Sequence, residues 1–137
     1  IVSTDNGHRI TDNEEVRLEN YLWRNEKQNK SFVVKAGTKD AKRAVLSYKT
    51  IAQSDRYTLL EINLETGRHH QIRCQLAAIG CPIKGDLKYA AKRSNADGGI
   101  SLHARKIEFI HPVSKQPISI TAPVPDDTLW QALVQQI

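Results

Sequence analysis

The run Leu64-Glu65-Thr66-Gly67-Arg68-His69-His70-Gln71-Ile72-Arg73 places two arginines, two histidines and a glutamine around a glycine turn. Side chains of this kind, gathered at the end of a strand, suit the binding of a phosphate or a carboxylate. Arg73 sits one position after Ile72 and one helical turn beyond His69 and His70. A guanidinium stays charged at every relevant pH and pairs bidentately with a carboxylate. Arg73 could therefore keep such a group ionised and oriented as a nucleophile. An ordinary structural salt bridge uses the same chemistry, and the residue types leave both readings open. His70 and Cys74 are four apart and could share a helix face, as two metal ligands would. Two ligands are insufficient, and neither Cys81 nor His103 belongs to a recognisable ligand pair. The expectation is a neutral histidine, a buried cysteine and no metal.

These residues need a strand before them and a helix beneath them, and the sequence supplies both. Thr58 to Glu65 alternates Leu60, Ile62 and Leu64 with Glu61, Asn63 and Glu65, the pattern of a half-buried strand. Ala44 to Ala52 is rich in strand formers, and Gln53-Ser54-Asp55-Arg56 is a connection of hairpin length, so the two segments should pair antiparallel. Past Gly67 the period changes. Ile72, Leu76 and Ile79 recur at helical spacing, and Gly80 and Pro82 supply a stop.

Upstream, Val16, Leu18, Tyr21 and Leu22 predict a short helix over 14–23, and Phe32-Val33-Val34 a short strand. Downstream, Lys84 to Gly99 reads as a polar loop that adds little core. Ile100, Leu102 and Ala104 alternate and resume out of phase at Ile107 and Phe109, which predicts a strand with a bulge near Arg105-Lys106. Ile118, Ile120 and Ala122 should be its hairpin partner, adding two strands to the same sheet. Leu129, Trp130, Leu133, Val134 and Ile137 mark an amphipathic last helix capped by Asp126 or Asp127.

Thr66-Gly67-Arg68-His69-His70-Gln71-Ile72-Arg73 resembles the TGRxHQIR motif of the RluA-family RNA pseudouridine synthases. The likeness continues in register through Gln75-Leu76-Ala77. Gly80-Cys81-Pro82-Ile83-Lys84-Gly85-Asp86-Leu87-Lys88-Tyr89 is similar to GHPIxGDxxY, and Leu102-His103-Ala104, His111-Pro112 and Thr121-Ala122-Pro123 follow in the family's order. Roughly residues 44 to 126 are covered, and several motifs in sequence are far more specific than one. The resemblance implies an enzyme without a cofactor. In it an aspartate attacks the target uridine, the uracil is detached and rotated, and C5 rejoins the ribose of a flipped-out nucleotide. It implies that Arg73 pairs with that aspartate and that Leu102 packs against the base. Arg68, His70 and Gln71 then become contacts to RNA or to the motif's own backbone.

The departures from the family are informative too. The HRLDxxTSG segment that carries the nucleophile should precede everything here and is absent; His8-Arg9-Ile10-Thr11-Asp12 imitates it with the aspartate displaced by one residue. Asp12 is therefore rejected as the nucleophile. The tyrosine that stacks on the base in the family usually lies just before a strand resembling Ile1-Val2. Cys81 stands where histidine is usual and Ala90 where glycine is usual. The expectation is the C-terminal portion of a catalytic domain, residues 1–137, whose N-terminal half is missing and which is inactive alone. A non-catalytic RNA-binding module on the same scaffold is the alternative.

Composition agrees with one domain of α+β class, a mostly antiparallel mixed sheet with packed helices. The 137 residues contain no methionine and open Ile1-Val2-Ser3, so the chain is expected to be less than a full translation product. No apolar run approaches the roughly 20 residues that span a bilayer, and the two cysteines are too few for a disulfide framework. A soluble cytoplasmic protein without a membrane partner is the expectation. Twenty lysines and arginines against 15 aspartates and glutamates give a formal charge of +5, which makes ribosomal or transfer RNA a candidate partner. Lys84 and Lys88, with Lys92 and Arg93, and a second group of Lys35, Lys39, Lys42 and Arg43, could track its backbone.

Overall fold

Ala44, Val45 and Leu46 are three consecutive apolar residues in a strand, and such a stretch needs cover on both faces. In the computed structural model, which describes residues 1–3 and 14–137, they are buried at the centre of a five-stranded sheet. The strands are β1 (Val2–Ser3), β2 (Val16–Asn25), β3 (Lys30–Val34), β4 (Lys42–Gln53) and β5 (Tyr57–Leu64). Their order is β1-β5-β4-β2-β3, and every pairing among the described residues is antiparallel. The fold is α+β, as expected. The β4–β5 hairpin forms where alternation placed it, with a bulge between Thr50 and Ala52.

Helix α1 (Gln71–Ala78) follows β5 and lies against the sheet. Leu76 packs with Leu46, Tyr48, Val2, Cys81 and Ile83, while Ile72 and Ile79 complete the stripe anticipated from their spacing. A second cluster closes the far end of the sheet, where α2 (Thr128–Val134) sets Leu133 against Ile1, Ala52 and Leu59. Asp127 caps α2, its Oδ1 accepting from the N–H groups of Leu129 at 2.9 Å and Trp130 at 3.2 Å.

Four expectations are corrected. Residues 14–23 are not a helix: Val16–Asn25 is a ten-residue strand paired on both sides, by β3 and β4. Its inward face is Leu18, Asn20 and Leu22, and the polar Asn20 hid the period of two. A partner makes that inward position tolerable, since Gln75 Nε2 donates to Asn20 Oδ1 at 2.9 Å.

The stretch 84–99 is not merely a surface loop. A 3-10 turn at Leu87–Tyr89 buries Asp86 and Tyr89, and Tyr89 joins Leu22, Ala44 and Cys74 in a third apolar cluster. Residues 100–104 form no strand; regular pairing begins at β6 (Lys106–Ile110). Finally, β6 and β7 (Pro117–Thr121) make a separate two-stranded sheet instead of extending the first.

Candidate active site

The strand-to-helix turn is built from its own side chains. Gln71 is 3 % exposed, and its amide bridges the turn to β4. Its Oε1 accepts from Thr66 Oγ1 at 2.7 Å and from the Arg68 N–H at 2.9 Å, while Nε2 donates to the Val45 carbonyl at 3.0 Å. Thr66 Oγ1 in turn accepts the Val45 N–H at 2.9 Å. Every polar atom of the Gln71 amide thus has a partner in the scaffold. Of the two roles open to Gln71, contact to RNA or to the motif's own backbone, these hydrogen bonds belong to the second. Arg68 is exposed, and its Nε donates to the Arg43 carbonyl at 2.8 Å.

His70 takes the left-handed conformation, φ 52°, and starts α1. That turn brings Arg73, His70, Asp86 and Tyr89 together. Arg73 meets Asp86 edge-on, with Nε to Oδ2 and Nη2 to Oδ1 both 2.8 Å. Its Nη1 lies 3.0 Å from His70 Nε2, and its Cζ is 4.9 Å from the centre of the Tyr89 ring. Asp86 is 1 % exposed, and Gly85 in front of it is fixed by space: a Cβ there would lie 2.6 Å from the Gly99 carbonyl oxygen, at a φ of +86°. The hydrogen bond to Asp86 raises the Arg73 pKa above its ordinary value.

The protonation of His70 follows from its neighbours. An arginine nitrogen can only donate, so His70 Nε2 must carry a lone pair and Nδ1 the proton. Nδ1 then donates to Tyr89 Oη at 2.8 Å, which also accepts the Ser31 N–H at 2.9 Å. Burial first, then the charges of Arg73 and Lys88 and the neighbouring His69, lower the His70 pKa to about 4. His69 stacks on His70 with ring centres 3.8 Å apart and is hydrogen-bonded to Ser31 and Asn29. Its pKa is lowered by burial and by the charges of Arg24, Lys88 and Arg73. Strand β3, the turn before α1, α1 itself and the 3-10 turn therefore converge around Arg73.

The remaining expected residues are distributed differently. Lys88 lies on the exposed side of the 3-10 turn, close enough for its charge to act on both histidines. The Lys84 ammonium is turned to Asn95 Oδ1, 2.6 Å away, and to the Tyr57 ring. Leu102 is 41 % exposed, next to Ser101, whose N–H is held by the Lys84 carbonyl at 2.9 Å. His70 and Cys74 do not form a pair of ligands: Cys74 Sγ faces the Ser31 carbonyl at 3.4 Å, and no cluster of three metal-binding side chains occurs among the described residues. Asp12 lies outside the described residues.

Asp86 and Tyr89 were missed as site residues. Both stand in the segment similar to GHPIxGDxxY, so the signal was present, but a polar stretch without periodicity gave no reason to fold it back onto Arg73. Ser31 had no signal in the sequence.

The sequence pattern of the family described as RNA pseudouridylate synthase matches residues 2–78, more than half of the chain and all of the turn that carries Arg73. The chain belongs to the RluA-type RNA pseudouridine synthase family. It is 33 % identical over 120 residues to an uncharacterised RNA pseudouridine synthase of Bacillus subtilis, a match that covers 88 % of this chain and 39 % of the relative. It is 39 % identical over 101 residues to ribosomal large subunit pseudouridine synthase D of Xanthomonas campestris, covering 64 % of this chain and 30 % of that protein. The chain thus spans well under half the length of these synthases. Among solved structures, human RNA pseudouridylate synthase domain containing 1 superposes with a TM-score of 0.66 at 20 % identity, over 90 % of this chain and 54 % of that one. The fold described above is therefore a pseudouridine synthase fold.

Proposed function

We propose that the polypeptide to which these residues belong isomerises uridine to pseudouridine in ribosomal or transfer RNA, and that this segment supplies the cationic side of the reaction centre. The reaction breaks the bond from ribose C1′ to N1 and joins C1′ to C5; C5 gives its proton to solvent and N1 takes one up. The observation that carries this reading is the state of Arg73. Three of its five N–H groups are held by Asp86 and His70, and its side chain is still 20 % exposed. The two remaining N–H groups, one on each terminal nitrogen, have no partner among the described residues and suit a second oxyanion. Asp86 itself is no candidate nucleophile, because it is buried with both oxygens engaged. Because the motif that carries the nucleophile in the resembling family is absent from this sequence, we assign the attacking carboxylate to a segment outside it. In this reading Lys88 and Arg68 draw in phosphate groups, His70 serves Arg73 and not the RNA directly, and Leu102 is kept as the residue that packs on the base.

Tritium release from RNA labelled at uridine C5 tests this, using the 137-residue chain, the full-length polypeptide and an Arg73→Ala variant of the latter. The expected result is no release by the 137 residues and release by the full-length polypeptide. Arg73→Ala should lower that release by about 100-fold or more, the scale for removing a charge-positioning group at a reaction centre. Arg73-dependent release by the 137 residues would place the nucleophile inside them and reopen the case for Asp12. RNA binding without release by the full-length polypeptide would support the RNA-binding module instead.

A further inference from the structure

The contacts around Arg73 are asymmetric in a way its role alone does not require. One edge of the guanidinium is occupied by a buried carboxylate, Asp86, and one face by the Tyr89 ring. Nη1 is held by a histidine nitrogen that can accept only in the less common Nδ1–H tautomer. That tautomer is compatible with what lies behind it. Tyr89 Oη accepts the Ser31 N–H and has a second lone pair for His70 Nδ1–H, and the ring planes of His70 and Tyr89 meet at 82°. A flexible side chain that merely needed to be neutralised would have required Asp86 and nothing more.

We propose that His70 and Asp86 are positioning residues, which together fix the rotation of the Arg73 guanidinium so that one N–H of each terminal nitrogen faces the second oxyanion. Tyr89 is the rear support of this clamp: its hydroxyl accepts from His70 Nδ1 and its ring lies against the guanidinium. The inference rests on the reading of Arg73 given above, because only a group that must meet an incoming anion gains from being aimed. The otherwise rotatable side chain of Arg73 is thereby ordered before the anion arrives, and a misplacement of about 1 Å at such a group can cost about 100-fold in rate.

The test separates the clamp from the chemistry. In the full-length polypeptide, His70→Phe removes the acceptor and His70→Gln keeps one. The first should lower kcat for tritium release by about 100-fold with KM for RNA nearly unchanged, and the second should restore most of the loss. Asp86→Asn should lower kcat in the same way. Full activity of His70→Phe, or a change in KM alone, would overturn the proposal. Because a substitution at buried Asp86 can also unfold the protein, the wild type supplies an independent readout. Nitrogen-15 NMR of its imidazoles should show His70 protonated at Nδ1 and bare at Nε2, with the Arg73 Nε–H protected from exchange. An Nε2–H tautomer for His70 would overturn the clamp whether or not the polypeptide is active. If the wild type releases no tritium while the NMR pattern holds, it is the function and not the clamp that fails.

Discussion

Arg73 shows how far single residues can be read from sequence. Its importance was visible from its place in the motif, and the need for an anionic partner followed from its charge. The identity of its resident partner was not visible. Asp86 lies thirteen positions on, in a stretch with no periodicity, and only the tight Gly85 turn brings it back under α1. His70 was read as a contact to RNA or to the motif's own backbone; the structure shows it occupied on both nitrogens, with burial foremost in lowering its pKa. Its lowered pKa has a consequence for stability. In the unfolded chain His70 takes up a proton near its ordinary value of about 6.5, whereas in the fold it does so only at about 4. Between those values the unfolded state holds more protons, so this residue's contribution to stability is present at neutral pH and is lost on acidification through that window. Thermal unfolding followed from pH 7 to pH 4 should therefore show a steeper acid loss in wild type than in His70→Gln. Parallel curves would show that His70 titrates normally in the fold.

At the level of elements, β5, β7, α1 and α2 were legible because each obeys one period, and β4 because it is rich in strand formers. β2 was not, since a hydrogen-bonded Asn20 occupies an inward position and the apolar residues left over mimic a helix. The reverse error occurred at Ile100, Leu102 and Ala104, whose alternation is real but which pair with no strand among the described residues. A strand pattern states what a segment could bury and says nothing about whether a partner edge is available. The turn that ends in Ala90 carries a testable cost. Ala90 closes the 3-10 turn with φ 79°, a left-handed conformation that crowds any Cβ, and it stands where the resembling motif has glycine. Ala90→Gly relieves a penalty of about 1–2 kcal/mol in the fold and adds about 0.5–1 kcal/mol of chain entropy in the unfolded state. The expected net effect is a stabilisation of about 0.5–1 kcal/mol, a rise in Tm of about 2–4 °C. Because this turn carries Asp86 and Tyr89, the same variant should leave the His70 tautomer unchanged. A fall in Tm on thermal unfolding would show that the Ala90 methyl group makes a contact worth more than the strain.

Across the whole molecule, the five-stranded sheet and its two helices form a core of their own, but the β6–β7 hairpin does not share it. Its register pairs Ile107 with Ile120 and Phe109 with Ile118, which collects four apolar side chains on one face. Ile107, Phe109 and Ile120 remain between 41 and 58 % exposed. The Ala122 N–H to Arg105 carbonyl bond at 2.7 Å closes the base of the hairpin, but among the described residues no comparable bond ties either strand to the larger sheet. A two-stranded hairpin is marginal in water by itself, and an open apolar face of this kind favours association with any surface that covers it. Two outcomes are expected for the 137-residue chain. Backbone amides of 106–121 should exchange with solvent far faster than those of β4, whose residues 44–46 are fully buried. Size-exclusion chromatography should also show concentration-dependent self-association that the double substitution Ile107→Thr and Phe109→Thr reduces. Tm should change little in that variant, since these side chains contribute almost no buried area to the core. Protection of 106–121 equal to that of β4, in a chain that stays monomeric at high concentration, would mean that the hairpin already has its cover, and the double substitution would then lower Tm instead of leaving it unchanged.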